Sequence, residues 1–163
     1  MKNLLLTLLC MLVFPARAYE LNGIKLGGQE NDVKRAFPSV HCKPLEWHSA
    51  AADRRCDDAK VALGTAHARI TVFLKADAIQ AFELRFDTKD LERVKSALRA
   101  RWGAPLAEAT EIIARPGKDD RKVFKMRWEK GAERAVLTAQ LDKKRAGLEV
   151  SRGNFPEEIY RVR

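Results

Sequence analysis

His67-Ala68-Arg69-Ile70-Thr71-Val72-Phe73-Leu74-Lys75, then Ala76-Asp77-Ala78, then Ile79-Gln80-Ala81-Phe82-Glu83-Leu84-Arg85-Phe86: this stretch decides the fold. Ala68, Ile70, Val72 and Leu74 alternate with Arg69, Thr71, Phe73 and Lys75, and Phe82, Leu84 and Phe86 alternate with Glu83 and Arg85. A period of two puts each set on one side of a strand, so both segments read as strands with one face in a core. The connection is too short for a crossover and makes them antiparallel neighbours.

Working outward, Lys60–Gly64 precedes this pair as a further short strand. On the far side, Lys122–Glu129 sets Phe124, Met126 and Trp128 against Lys125, Arg127 and Glu129. Glu133–Leu141 sets Ala135, Leu137, Ala139 and Leu141 against Arg134, Thr138 and Gln140, and Leu148 and Val150 face away from Glu149 and Ser151. Residues 108–115 show the pattern more weakly. Two segments carry a helical period instead. Val33, Ala36 and Phe37 recur before Pro38, and Leu91, Val94, Leu98 and Trp102 recur between Asp87-Thr88 and Gly103. Acidic Asp90 and Glu92 fall in the first turn of the second helix, and Gly103 and Pro105 supply its stop. Leu21–Leu26 reads as a short strand-like arm broken by Gly27-Gly28.

The element order is helix, loop, strands, then helix, loop, strands. Val33-Lys34-Arg35-Ala36-Phe37 aligns with Val94-Lys95-Ser96-Ala97-Leu98. This predicts an α+β fold in which two helix-plus-β-meander repeats, about 21–86 and 87–152, form one antiparallel sheet with two helices on one face. The other sheet face is expected in water. A C-terminal tail, 153–163, packs through Phe155 and Ile159.

The N-terminus carries Lys2, an uncharged apolar run from Leu4 to Phe14, Pro15 and Ala16-Arg17-Ala18, the three parts of a cleavable export signal. The run of about 11 residues falls short of the roughly 20 that cross a bilayer, so no transmembrane anchor is expected. Cleavage after Ala18 leaves a single domain, 19–163. Cys10 sits in the apolar run behind Leu8 and Leu9, the wrong context for a lipid-modified cysteine. The short, single-lysine start places the protein in the periplasm, with full secretion as the alternative.

Export decides how the cysteines read. The two remaining, Cys42 and Cys56, form an even pair in an oxidising compartment, which predicts a disulfide. It would close a loop of about 15 residues. His41, Cys42, His48 and Cys56 are the competing zinc set, but their spacing matches no common zinc module, and adjacent His41 and Cys42 fit one tetrahedron poorly. No metal or cofactor is therefore expected.

The chain's 31 basic and 22 acidic side chains give a formal charge of +9; losing Lys2 and Arg17 with the signal leaves +7. That balance favours acidic partners. No stretch spells out a catalytic motif. The three histidines, His41, His48 and His67, and the few serines sit in no nucleophile turn, no glycine loop cradles a phosphate, and Asp53, Asp57 and Asp58 lie beside Arg54 and Arg55. No catalytic residue is assigned, and a small hydrolase is the least favoured reading.

Three short frames carry a family likeness: Gly23-Ile24-Lys25-Leu26-Gly27, the Asp32-Val33…Phe37-Pro38 helix, and Trp102-Gly103-Ala104-Pro105. Their layout resembles the β-lactamase inhibitor protein fold and is similar to the small lipoproteins of the outer-membrane β-barrel assembly machinery. The resemblance implies a non-catalytic protein-binding or assembly module whose sheet or loops contact another macromolecule. It departs in lacking an acylated N-terminal cysteine. The polar strand faces supply the candidate surface: Arg69, Phe73, Lys75, Arg85, Lys125, Arg127 and Arg134, expected to dock the acidic face of a protein. An anionic envelope glycan or lipid headgroup is the alternative ligand. Nucleic acid is not expected, since no aromatic platform interleaves the charges.

Overall fold

A computed structural model describes residues 19–161; the expected export signal and Cys10 lie outside them. The first described elements form a hairpin, β1 (Glu20–Leu21) and β2 (Ile24–Lys25), closed by Asn22 and Gly23 at φ of 50° and 86°. Two consecutive positive φ values are what a two-residue hairpin turn demands, and Asn-Gly supplies them with little strain. Helix α1 (Glu30–Ala36) follows; the Gln29 backbone N–H donates to the Asp32 carboxylate at 2.9 Å, half of a capping box, and Pro38 ends the segment.

The body of the protein is an eight-stranded antiparallel sheet. Its strands are β3 (His41–Pro44), β4 (Arg54–Leu63), β5 (Ala66–Lys75), β6 (Ala78–Phe86), β7 (Ala107–Ile113), β8 (Arg121–Lys130), β9 (Glu133–Gln140) and β10 (Arg145–Arg152). They lie in the order β3-β4-β5-β6-β10-β9-β8-β7. Between β6 and β7 run a 3-10 turn, Thr88–Asp90, and α2 (Leu91–Trp102); after β10 comes α3 (Phe155–Glu158).

The expected α+β architecture of two helix-plus-meander repeats is overturned. Half of the described residues are strand and 18% helix. The helices are 7, 12 and 4 residues long, too little to form a layer matching the sheet. Extra strand comes from two places that were read as loop. Residues 41–44 form β3, and β4 begins at Arg54 rather than near Lys60. Charge hid both. On one side of the 54–58 segment Arg55 and Asp57 pair at 2.7 Å, and Asp58 accepts hydrogen bonds from the Ser39 hydroxyl and the Lys60 amide at 2.6 and 2.8 Å. Those carboxylates read as loop chemistry, but they satisfy a strand that bulges between Asp58 and Val61.

The main core lies on the sheet face that carries Ile70, Val72, Phe82, Leu84, Met126, Trp128, Leu137 and Leu148. Val33 of α1 and Leu91, Val94 and Leu98 of α2 join it. An aromatic chain ties the hairpin, α2 and β8 together: Tyr19 meets Trp102 edge-on at 5.0 Å, and Trp102 meets Trp128 at 5.6 Å. Each indole also finds an acceptor, Trp102 the carbonyl of Glu20 at 3.3 Å and Trp128 that of Gly103 at 3.0 Å.

The β5–β6 turn is unusual in composition. Lys75 pairs with Ala78, so the loop is Ala76-Asp77, and both residues take positive φ, 47° and 66°. Neither is a glycine. Side chains hold the turn: the Ala76 amide donates to Asp53 at 2.9 Å, and Asp77 accepts from the Glu30 amide at 3.1 Å. A non-glycine residue in this region costs about 1–2 kcal/mol. Part of that returns as lost chain entropy when glycine is installed. Ala76→Gly is therefore expected to raise stability by about 0.5 kcal/mol; a fall in urea midpoint would contradict a strained turn.

Candidate binding face of the sheet

Register assigns the second face of the sheet directly, because residues opposite one another in an antiparallel pair point the same way. One row across the strands is Lys43, Arg55, Phe73, Ala81, Ser151, Arg134 and Glu129. The next is His41, Asp57, Thr71, Glu83, Glu149, Val136 and Arg127. A third is Arg69, Arg85, Gly147, Thr138 and Lys125. Six of the seven residues singled out from the sequence thus share one face, while Lys75 lies past the register shift after Phe73, at the β5–β6 turn, and the six do not share one environment.

One end of this face is covered, contrary to the expectation that it stands in water. Phe73, Ala81, Ala52, Phe155 and Ile159 form a second core, with Leu45, Trp47 and Ala51 against it. Phe155 meets Phe73 at 5.3 Å, and Trp47 stacks on Tyr160 at 5.7 Å. Trp47 donates to the Ile159 carbonyl at 2.7 Å and Ser49 to that of Glu158 at 3.1 Å. Small Ala81 and bulky Phe73 leave an apolar hollow, and the 45–53 loop and the tail fill it. Phe73, at 2% exposed, is therefore out of a partner's reach. Lys75, though exposed, donates to the carbonyl of Ala50 in that same loop.

The remaining candidates divide by whether an acid meets them. Lys125 pairs with Glu111 at 2.8 Å, Arg127 with Glu129 at 3.4 Å and Arg134 with Glu157 of the tail at 3.6 Å. Arg85 reaches Glu83 at 3.5 Å. Arg69 makes no ion pair among the described residues. It sits directly opposite Arg85, where like charges repel. Around that pair runs an open groove, also lined by His67, Lys144, Arg145 and Gly147. Lys144 and Arg145 belong to the β9–β10 turn and the start of β10, and sequence reasoning assigned them no role. Their signal was the glycine in the middle of a strand, which marks a place where something approaches closely.

Beside the groove, Glu83 and Glu149 stand directly opposite each other. Burial pushes the Glu83 carboxyl above the usual carboxylate range, against the pull of Arg85. Burial does the same to Glu149, with Ser151 opposing and Glu83 adding. The sign follows. A carboxyl whose folded value is raised holds its proton in the native state after the unfolded chain has lost it. Stability from this pair is then greatest in acid and is lost as pH rises from the ordinary carboxylate value through the raised one. Glu149→Gln is expected to melt like the wild type at pH 4 and above it at pH 7.5, by a margin that grows with pH. A variant that melts lower at pH 7.5 than at pH 4, relative to wild type, would show the pair to be stabilising as anions.

The expected disulfide is present. Cys42 and Cys56 are opposite one another in the β3–β4 register and bonded, with Cα atoms 3.9 Å apart. The four-residue zinc set is not assembled. Both sulfurs are spent on each other, His41 lies on the opposite side of β3 from Cys42, and His48 is exposed. Glu30 brings a carboxylate near the sulfurs but is held by Lys34 at 2.7 Å and Arg54 at 2.8 Å. No described helix is long and apolar enough to cross a membrane.

No family model matches the chain, and no curated protein matches it. Among solved structures it is similar to a DUF4309 family protein, YjgB, from Bacillus subtilis, at 14% identity over 76% of this chain and 78% of that one, with a TM-score of 0.37. A likeness of that size fixes neither fold nor function. The β-lactamase inhibitor protein fold and the assembly lipoproteins, the two likenesses expected from the residues, are not carried into the function below.

Proposed function

We propose that this protein is a non-catalytic, exported binding module that docks the acidic face of another protein on the open end of its outer sheet face. One observation carries the reading: Arg69 and Arg85 oppose each other in register, and Arg69 has no acid among the described residues. Aligned cations of which only Arg85 has an acid, Glu83, to offset it lower stability slightly, and an acidic partner removes that cost on binding. The periplasm is the compartment, supported by the residue 1–18 pattern and by a disulfide, a bond that persists in oxidising surroundings.

Reversing Arg134 would also break its contact with the tail, so the test uses cations without structural partners. Immobilised wild-type protein is expected to retain an envelope protein at 0.15 M salt, while R69E/R145E retains none. Undiminished capture by R69E/R145E overturns the reading. If capture is instead replaced by retention of an anionic polymer that 0.5 M salt abolishes, the ligand is a glycan or headgroup, because a charged polymer is held mainly by screened attraction.

A further inference from the structure

The groove around Gly147 has a spacing as well as a charge. On the rest of the outer face, acids accompany the cations: Arg55 has Asp57, Arg127 has Glu129, Arg134 has Glu157 and Lys125 has Glu111. At the groove the acids thin out, and of its cations only Arg85 keeps an acid partner among the described residues, Glu83 at 3.5 Å. Arg69, Lys144 and Arg145 form no ion pair among the described residues, and Asp87, the one carboxylate on the wall, is committed to the Lys89 amide at 2.9 Å.

Gly147 makes the floor. It pairs with Arg85 on one side and Thr138 on the other, so no side chain rises between them. A Cβ there would sit 3.3 Å from the Leu84 carbonyl, tighter than ordinary contact. The notch is thus built into the strand pairing.

Arg85 lies across from Gly147, and Arg145 lies two residues before Gly147 on β10. Two residues along a strand are about 7 Å, the step that returns a side chain to the same face. The groove therefore presents a cation pair, Arg69 with Arg85, and a second pair, Lys144 with Arg145, one strand step apart. An extended chain laid along β6 and β10 offers its own side chains at that same step.

We infer that the groove seats an extended acidic segment of the protein partner, with carboxylates at positions i and i+2. This rests on the reading of the outer face as a protein-docking surface and names the ligand chemistry there. Each carboxylate meets a guanidinium, whose planar fork accommodates both oxygens. The segment's intervening residue points away from the sheet, and Gly147 leaves room for its backbone.

The test is a fluorescence anisotropy titration of the full, oxidised chain at 0.15 M salt. One labelled eight-residue peptide carries two glutamates, at positions i and i+2, in a threonine and glutamine background. A second has the same composition with the glutamates adjacent, so that they leave opposite faces of an extended chain. The alternating peptide is expected to bind about tenfold more tightly, and R69Q and R145Q are each expected to weaken it by about tenfold with unchanged melting. Equal binding of the two peptides, or indifference to both substitutions, overturns the seat. Separate arms offer phosphatidylglycerol vesicles and heparin. Binding to either that R69Q abolishes, with no peptide selectivity, assigns the groove to that ligand instead. If R69E/R145E still loses its envelope partner while the peptides are not distinguished, the docking face stands and only the alternating-acid seat fails.

Discussion

Trp128→Ala is expected to destabilise the protein by about 4 kcal/mol, the range seen when a large buried aromatic is truncated. Trp128 is 2% exposed and stands at the junction of β8, the end of α2 and the hairpin strand β1. Three losses combine. The removed ring leaves a cavity that the flanking strands, β7 and β9, cannot collapse into without breaking register. Trp102 loses its edge-on neighbour, and through Trp102 the contact with Tyr19 loosens. The Gly103 carbonyl loses the indole N–H that ends α2. For a domain of this size the shift corresponds to a melting temperature lower by about 8–16 °C. Trp128→Phe keeps most of the volume and drops the hydrogen bond, so it is expected to cost about half as much. Thermal melts by circular dichroism read both; equal melting of Trp128→Ala and wild type would show that this junction bears no weight.

Removing the disulfide is the second large effect. C42A/C56A is expected to lose about 3 kcal/mol, the chain-entropy value for a loop of about 15 residues. The loop it closes is not passive. It carries Leu45, Trp47, Ala51 and Ala52, which cover Phe73 and hold the tail. Once the β3–β4 clip is gone, β3, a four-residue edge strand ending in Pro44, has only its ladder to β4. The loop and tail should then lift together. Limited proteolysis is expected to cut within 45–53 and near 155–161 at similar rates in the double variant, and at neither place in the oxidised wild type. A melting temperature unchanged by reduction, with both segments still resistant, would mean the aromatic contacts alone hold this end.

Those two sites show why some features were legible in the residues and others not. Strands β5, β6, β8 and β9 and helix α2 each bury one side and expose the other, so their period was written in hydrophobicity. The disulfide followed from an even pair of cysteines. Where both sides carry polar groups the period vanishes. Every residue of β7 is exposed, and the start of β4 alternates charges with a buried cysteine and a buried aspartate. β7 therefore showed only a weak strand pattern, the start of β4 looked like loop, the sheet was undercounted, and the helices were given too large a share of the fold. The covering of Phe73 depends on Trp47 meeting Tyr160 across more than a hundred residues, and no local pattern encodes that. Arg69 and Arg85 were read as outward-facing. That they oppose each other, with Gly147 beside them and the β9–β10 turn adding two more cations, emerges only from register.

The strand order also governs the route by which the chain reaches this state. Six of the seven adjacent strand pairs join consecutive strands, and only β6 and β10 meet across a long separation. Residues 81–86 pair with 146–151, closing a loop of about 60–70 residues. Two local meanders can zip early, while the seam between them waits on that closure. Substitutions at Leu84 or Leu148 in the seam should therefore act mainly on the rate of unfolding, whereas changes at the β5–β6 turn should act on the rate of folding. The basic groove straddles that seam, so the proposed ligand would bind only a chain whose last pairing is complete.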